Sequence, residues 1–364
     1  MAGIYVHVPF CHAKCAYCDF YSVAGDNFKK DYAAAVVREW QARSPELGDE
    51  VVKTVYFGGG TPSSLSPDLL GSIVESLPLD RVEEFTIEVN PEDVCEESSR
   101  AWRAMGINRV SMGVQSLRDN ELLAVGRRHS ARRALDAVAT LRDAGFDNIS
   151  CDLIYGLPEQ TLGSWKESVS GLLATGIEHL SAYCLSFEEG TLLYRRMKAG
   201  DVTPASEELL CDMYDFLCRA TRVAGFVHYE ISNFAKPGFE SRHNSSYWDR
   251  TPYLGLGPGA HSLDCRGIRR YVAPGLSAYC RAPESAAVVD EETDTERLND
   301  LIFISLRTAR GLDISLFDES SRRELLKAAR PMLSAGHLRL DGGVLSIPEE
   351  HWLVSDAVIR DLLF

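Results

Sequence analysis

The 364 residues are 45% hydrophobic and 25% charged, with a formal net charge of −15. This is a globular composition in a chain too long for one small domain, so a large domain with an appendage is expected. The acidic balance weighs against nucleic acid as the main partner, since phosphate binding calls for a basic surface, and no apolar run approaches the length of a membrane span.

The chain opens on an apolar run, Ile4 to Val8, which predicts a short buried strand. Cys11, Cys15 and Cys18 follow it in a C-x-x-x-C-x-x-C spacing. Three thiolates so close together can share one soft metal centre. Zinc would want a fourth Cys or His at matching spacing, whereas an iron–sulfur cube held by three cysteines keeps one iron open for a ligand. The start shows neither a secretory leader nor an Arg-rich transit segment. Ten cysteines without secretory context point to a reducing compartment, so a cytoplasmic protein is expected. The other seven cysteines are scattered. Cys211 and Cys218, two helical turns apart, read as packing residues.

Helices and strands then alternate. Helical periodicity runs from Phe28 to Arg43, Pro67 to Leu77, Glu97 to Met105, Arg132 to Ala144, Leu162 to Thr175 and Ala205 to Ala224. Strands are predicted at Val51–Phe57, Glu84–Val89, Arg109–Gly113, Asn148–Leu153, His179–Leu185 and Phe226–Ile231. Such repeated units specify a parallel sheet that curls into a barrel or part of one. Gly58-Gly59-Gly60-Thr61-Pro62 follows the second strand, where glycine lets a ligand approach the backbone and exposed N–H groups or carbonyls can hold it. Polar residues recur at later strand ends, with Glu88, Gln115 and Asp152 on the rim where βα barrels bind ligands.

On the cysteine triplet, Tyr17 before its last member and the glycine turn, the chain resembles the radical S-adenosylmethionine (SAM) proteins. The resemblance implies a partial (β/α)6 barrel and a 4Fe-4S cluster on Cys11, Cys15 and Cys18. It also implies a SAM site formed by Tyr5, Tyr17, Gly59, Gly60, Thr61, Glu88, Gln115, Arg127 and Asp152. Within that superfamily the chain is similar, over nearly its whole length, to the branch of oxygen-independent coproporphyrinogen III oxidase and the HemW-type heme chaperones. In the oxidase, Gln115, Arg127 and Asp152 match positions that hold a second SAM. The oxidase also has a fourth cysteine two positions after the third, where Phe20 stands here, and an extension before its cluster loop, for which Cys11 lies too near the start.

His243-Asn244-Ser245-Ser246-Tyr247-Trp248 is the H-N-x-x-Y-W signature of the chaperones, expected here on a loop. An imidazole can ligate iron, and Tyr and Trp offer flat faces with a polar tip, so His243, Asn244, Tyr247 and Trp248 are the expected heme contacts. His261 is a rival ligand in a Gly/Pro turn between Leu254 and His261. The resemblance implies delivery of heme to haem-dependent respiratory proteins, with docking at the inner membrane face, and leaves a homodimer open. The enzyme alternative is the oxidase, which abstracts hydrogen from propionate side chains.

The pattern changes near Asp294. Helices are expected at Glu296–Leu306, Arg322–Ala335 and Trp352–Leu363, with a hairpin formed by Leu338–Leu340 and Val344–Ile347 around Asp341-Gly342-Gly343. The expected division is a barrel over 1–285 and a small winged-helix-like domain over 286–364, without a basic recognition helix.

Overall fold

The computed structural model describes residues 1–364. Six strands form the parallel body of one sheet: β1 (Ala2–Val8), β2 (Val52–Gly59), β3 (Glu84–Val89), β4 (Arg109–Gln115), β5 (Ile149–Tyr155) and β6 (His179–Cys184), side by side in that order. Alternation along each strand divides its residues between two faces. Ile4, Val6, Phe57, Ile87, Met112, Leu153 and Leu180 are fully buried. The register aligns Tyr5 with Tyr56, Glu88 with Ser111 and Asp152 with Ser181 on the other, polar face, which lines the barrel interior.

The helices that return the chain between strands include α1 (Lys29–Arg43), α2 (Pro67–Val74), α3 (Glu96–Ala104), α4 (Asp119–Ala124), α5 (Ala131–Asp143), α6 (Leu162–Ala174), α7 (Leu192–Lys198) and α8 (Glu207–Val223). Their starts are written locally. Ser66, Ser130 and Ser206 each accept a backbone N–H from the first helical turn, and Thr161 with Ser164 forms a reciprocal capping box.

The sheet does not close. On one side β7 (Val227–Glu230) pairs antiparallel with β8 (Asn233–Ala235), which pairs antiparallel with β6, so Phe226–Ile231 forms an edge hairpin and does not extend the parallel series. On the other side β9 (Tyr253–Leu256) lies parallel to β1, and β10 (His261–Leu263), β11 (Arg269–Val272) and β12 (Ala287–Asp290) continue antiparallel. The turn expected over Leu254–His261 therefore contains a strand. Gly255 belongs there because a Cβ would run into the His261 carbonyl. Between the two flanks, α9 (Arg242–Tyr247) carries the H-N-x-x-Y-W sequence on a helix where a loop was expected.

After α10 (Leu276–Arg281), the C-terminal part consists of α11 (Asp294–Ser305), β13 (Leu312–Asp313), α12 (Glu319–Ala335), β14 (Arg339–Asp341), β15 (Val344–Ser346) and α13 (Ser355–Arg360). The three strands make a small antiparallel sheet, which with α11 and α12 gives a winged-helix-like arrangement. Gly342 and Gly343 both have positive φ, as the tight hairpin turn requires. The final helix is shorter than expected, because Glu349–Val354 forms a 3-10 turn before α13. One continuous core of 65 buried residues runs from the barrel into this part, taking in Leu345 and Trp352.

Candidate functional site

The C-terminal ends of β1 to β6 open onto a cavity of about 460 Å³. Eleven of the twelve residues expected to hold the cluster and SAM line it: Cys11, Cys15, Cys18, Tyr17, Gly59, Gly60, Thr61, Glu88, Gln115, Arg127 and Asp152. Tyr5 is the exception. It sits deeper in the barrel, with its hydroxyl 3.1 Å from His7 Nδ1 and its ring against Tyr56 and His243.

The cysteine loop is tied to the rim from several directions. Arg127 reaches 3.4 Å to Cys15 Sγ with Nη1 and donates from Nη2 to Asn90 Oδ1 (2.8 Å) and to the Gly113 carbonyl. The Thr61 hydroxyl stands 3.5 Å from Cys11 Sγ. Burial pushes the Cys18 thiol up to about 11, with the neighbouring thiols adding to the rise. Three thiols on one short loop, beside a guanidinium whose Nε is buried without a partner, are a donor set suited to an iron–sulfur centre. The residues fit the cluster.

The glycine turn keeps only one of the two parts expected of it. Gly59 N–H donates to Glu88 Oε2 (3.0 Å), and Gly60 N–H donates to the Val8 carbonyl (2.8 Å), so neither is free for a ligand carboxylate. The turn offers carbonyls and close approach. A Cβ on Gly60 would stand 2.8 Å from the backbone oxygens of Val8 and Phe10. Gly59, at φ 106°, would meet the His7 ring.

Two carboxylates face the cavity. Burial raises Glu88 to about 7 against the opposing effects of Tyr56 Oη, which donates to it at 2.8 Å, and of the Gly59 N–H. The nearby Asp152 raises it further. Burial raises Asp152 to about 6, opposed by hydrogen bonds from Ser181 and Ser111. A carboxylate held partly protonated gains most from a cation placed beside it, so Glu88 suits an ammonium or sulfonium group. Asn90, Tyr56, Ser111 and Tyr183 belong to the same surroundings and escaped the sequence reading. Asn90 joins Arg127 to Thr61, donating from Nδ2 to Oγ1 at 3.2 Å. Its place two residues after Glu88 at the end of β3 was the available signal.

The H-N-x-x-Y-W residues lie at the other end of the barrel, beside the N-terminal ends of the strands. Glu84, at the start of β3, accepts the backbone N–H groups of Arg242 (2.9 Å) and His243 (2.8 Å) and so anchors the start of α9. His243 is fully buried. Its Nδ1 is 2.8 Å from Thr54 Oγ1 and its Nε2 2.8 Å from Tyr247 Oη, and its ring stacks on Tyr56 at 5.1 Å. Burial lowers its pKa to about 3, so the ring is neutral. The histidine expected on a loop thus lies enclosed on a helix, with both nitrogens engaged. Trp248 instead lines a second cavity of about 530 Å³, together with Lys53, Arg242 and Arg310; Asn244, Tyr247 and His243 do not line it. His261 lies far round the sheet on β10, exposed.

The Radical SAM superfamily pattern matches residues 5–170, and the HemN C-terminal domain matches 293–354. A heme chaperone HemW from Lactococcus lactis is 37% identical over 86% of this chain and 83% of its own length. One from Mycobacterium tuberculosis is 33% identical over 99% and 94%. The chain belongs to the HemW family of radical SAM proteins. A mitochondrial radical S-adenosyl methionine domain-containing protein 1 from Bos taurus is 35% identical over 96% of this chain and 75% of its own. The Escherichia coli coproporphyrinogen III oxidase HemN superposes with a TM-score of 0.82 over 99% of this chain and 88% of that one; at 23% identity the likeness is one of fold. Family membership implies a 4Fe-4S cluster and SAM. When bound, such a cluster would offer SAM a binding site and supply an electron. Cys11, Cys15 and Cys18 would hold the cluster, and Glu88, Tyr17 and Arg127 line the cavity beside them.

Proposed function

We propose that this protein is a heme chaperone that binds heme, a 4Fe-4S cluster and SAM, and passes heme to haem-dependent respiratory proteins. The observation that carries the reading is the likeness to HemW heme chaperones over nearly the whole chain, and the H-N-x-x-Y-W sequence at His243 to Trp248 supports it. The cluster would sit on Cys11, Cys15 and Cys18, with SAM in the rim cavity beside Glu88, Gln115, Arg127 and Asp152. Heme would enter the lower cavity against the face of Trp248, with Lys53, Arg242 and Arg310 available to its propionates in exchange for their present acidic partners Glu83 and Asp249. His243 would become the axial ligand once Tyr247 releases Nε2, its neutral state being the one that binds iron. A ligand that must be uncovered suits a carrier, which has to collect heme and give it up.

The protein would work in the cytoplasm and meet its recipients at the inner membrane face. No helix of the chain is long and apolar enough to cross a membrane, so such docking would be peripheral.

The test is a visible spectrum of anaerobically reconstituted protein, with and without added heme, run beside an assay with coproporphyrinogen and SAM. A Soret band that saturates near one heme per chain, with no protoporphyrinogen formed, is the expected result. Turnover of coproporphyrinogen without heme uptake would replace the chaperone reading with the oxidase.

A further inference from the structure

Neither the cluster nor the heme reading uses a group of side chains on the seam between the barrel edge and the C-terminal domain. Cys218 on α8, His228 on β7 and Glu349, which follows β15, bring Sγ, Nδ1 and a carboxylate oxygen within 4.8 Å of one another. Nδ1 stands 3.2 Å from Glu349 Oε1 and 4.0 Å from Cys218 Sγ. Around a tetrahedral zinc ion with bonds of about 2.0–2.3 Å, adjacent ligand atoms lie roughly 3.3–3.7 Å apart. The imidazole needs movements of a few tenths of an ångström toward its two neighbours, and Sγ and the carboxylate need to approach each other by up to about 1 Å.

The surroundings are those of a metal ligand set. His228 Nε2 faces the Ile231 carbonyl at 3.4 Å, and a proton held there leaves the Nδ1 lone pair free for a metal. Arg222 donates to Glu349 Oε2 at 2.7 Å, which fixes the carboxylate and leaves Oε1 turned to the other two groups. The imidazole is held in place by Phe234, stacked at 4.0 Å, and by the edge of Trp352 at 4.4 Å. The hydroxyl of Tyr214, whose ring also meets His228, is buried without a hydrogen-bond partner. Access exists from the Glu349 side, whose side chain is 35% exposed while that of His228 is 5% exposed.

We propose that Cys218, His228 and Glu349 bind a zinc ion that clasps the C-terminal domain to the open edge of the barrel sheet. A thiolate, an imidazole and a carboxylate together favour zinc over magnesium or calcium, which take oxygen ligands. Binding releases the Cys218 proton to solvent, forms one Zn–S, one Zn–N and one Zn–O bond, and leaves the fourth position to water. The clasp acts where backbone contacts already cross the seam: Ile231 N–H donates to the Arg307 carbonyl at 3.0 Å, and Glu230 bridges to Thr308.

The experiment loads the protein with its iron–sulfur cluster first, so that Cys11, Cys15 and Cys18 are occupied, and then supplies zinc alone. After exhaustive dialysis, elemental analysis should find about one zinc per chain in the wild type. Cys218→Ser should retain almost none and Glu349→Gln should bind at least ten-fold more weakly, both with unchanged iron and sulfide. X-ray absorption at the zinc edge should show a single sulfur ligand, and zinc should raise the melting temperature of the wild type but not of Cys218→Ser. Because His228 is packed between aromatic rings, its replacement is not the deciding variant. Wild-type protein that keeps no zinc once the cluster is in place, or Cys218→Ser that keeps as much as wild type, overturns the site. Zinc bound without a gain in melting temperature overturns the clasp.

Discussion

Glu88 is the residue whose chemistry is most exposed to experiment. Its carboxyl is raised from the ordinary 4.5 to about 7 in the folded protein, and that of Asp152 from 3.8 to about 6. Raised acids keep protons that the unfolded chain gives up, so their contribution to stability declines as pH climbs from about 4 through 7. Binding of a cationic ligand has the opposite sign, because only the carboxylate attracts it. SAM affinity measured by calorimetry on the cluster-loaded protein should therefore fall as pH drops through 7. Glu88→Gln should weaken binding at pH 8 and flatten the profile. Tyr56→Phe removes the hydrogen bond that holds Glu88 down, so the midpoint should move to higher pH; an unmoved midpoint would show that Glu88 is not the titrating group. The cysteines allow a plainer check. All three are only half-buried, so Cys11, Cys15 and Cys18 changed together to Ala should lose the iron–sulfur absorbance while circular dichroism keeps the folded signal.

At the scale of elements, α9 and β9 are the pieces that local sequence misjudged. The six residues of α9 are too few to stand alone as a helix. They hold because Glu84 anchors their N-terminus and His243 inserts between Thr54 and Tyr247. His243→Ala deletes two buried hydrogen bonds and leaves a cavity, which should cost about 2–4 kcal/mol in denaturant unfolding. Heme affinity of that variant is informative only beside its stability. A change below about 0.5 kcal/mol would mean that the histidine is not enclosed as described. Strand β9 depends on Gly255, where the backbone of His261 leaves no room for a Cβ. Gly255→Ala should destabilise the protein by about 1–3 kcal/mol, detected as a lower denaturation midpoint.

Across the whole molecule, the barrel separates two cavities, one at each end of its strands. Tyr56 lies between them, donating to Glu88 on one side and stacking on His243 on the other. Trp248 lines the lower cavity without touching that stack, which makes Trp248→Ala the cleaner test of heme binding. It should lower heme affinity by at least ten-fold while cluster content and SAM affinity stay at wild-type values. Unchanged heme binding would move the heme elsewhere.

The sequence by itself determined the cysteine triplet, the strand–helix alternation, the hairpin around Gly342-Gly343 and the polar strand ends. These follow from spacing within a few residues, from a period of two or 3.6, or from a residue's place at the end of its own element, and all of that is local. Eleven of the twelve rim residues converge because parallel strands in register carry their ends to one side. Only the tertiary structure decided the rest. The glycine-turn N–H groups are consumed by Glu88 and Val8, whose positions no local pattern gives. Cys218 packs against the core as expected, but its Sγ also faces His228 and Glu349, and Cys211 is exposed. The first part of the turn expected before His261, Leu254 to Leu256, is a strand, because it pairs with the edge of β1. His243, expected on a loop, is enclosed because the lower mouth of an unclosed barrel needs a plug, and a short helix fills it with a neutral imidazole whose two nitrogens meet Thr54 and Tyr247. Hydrogen-bond partners distant in the chain decide whether a side chain is available, and their meeting is a property of the fold.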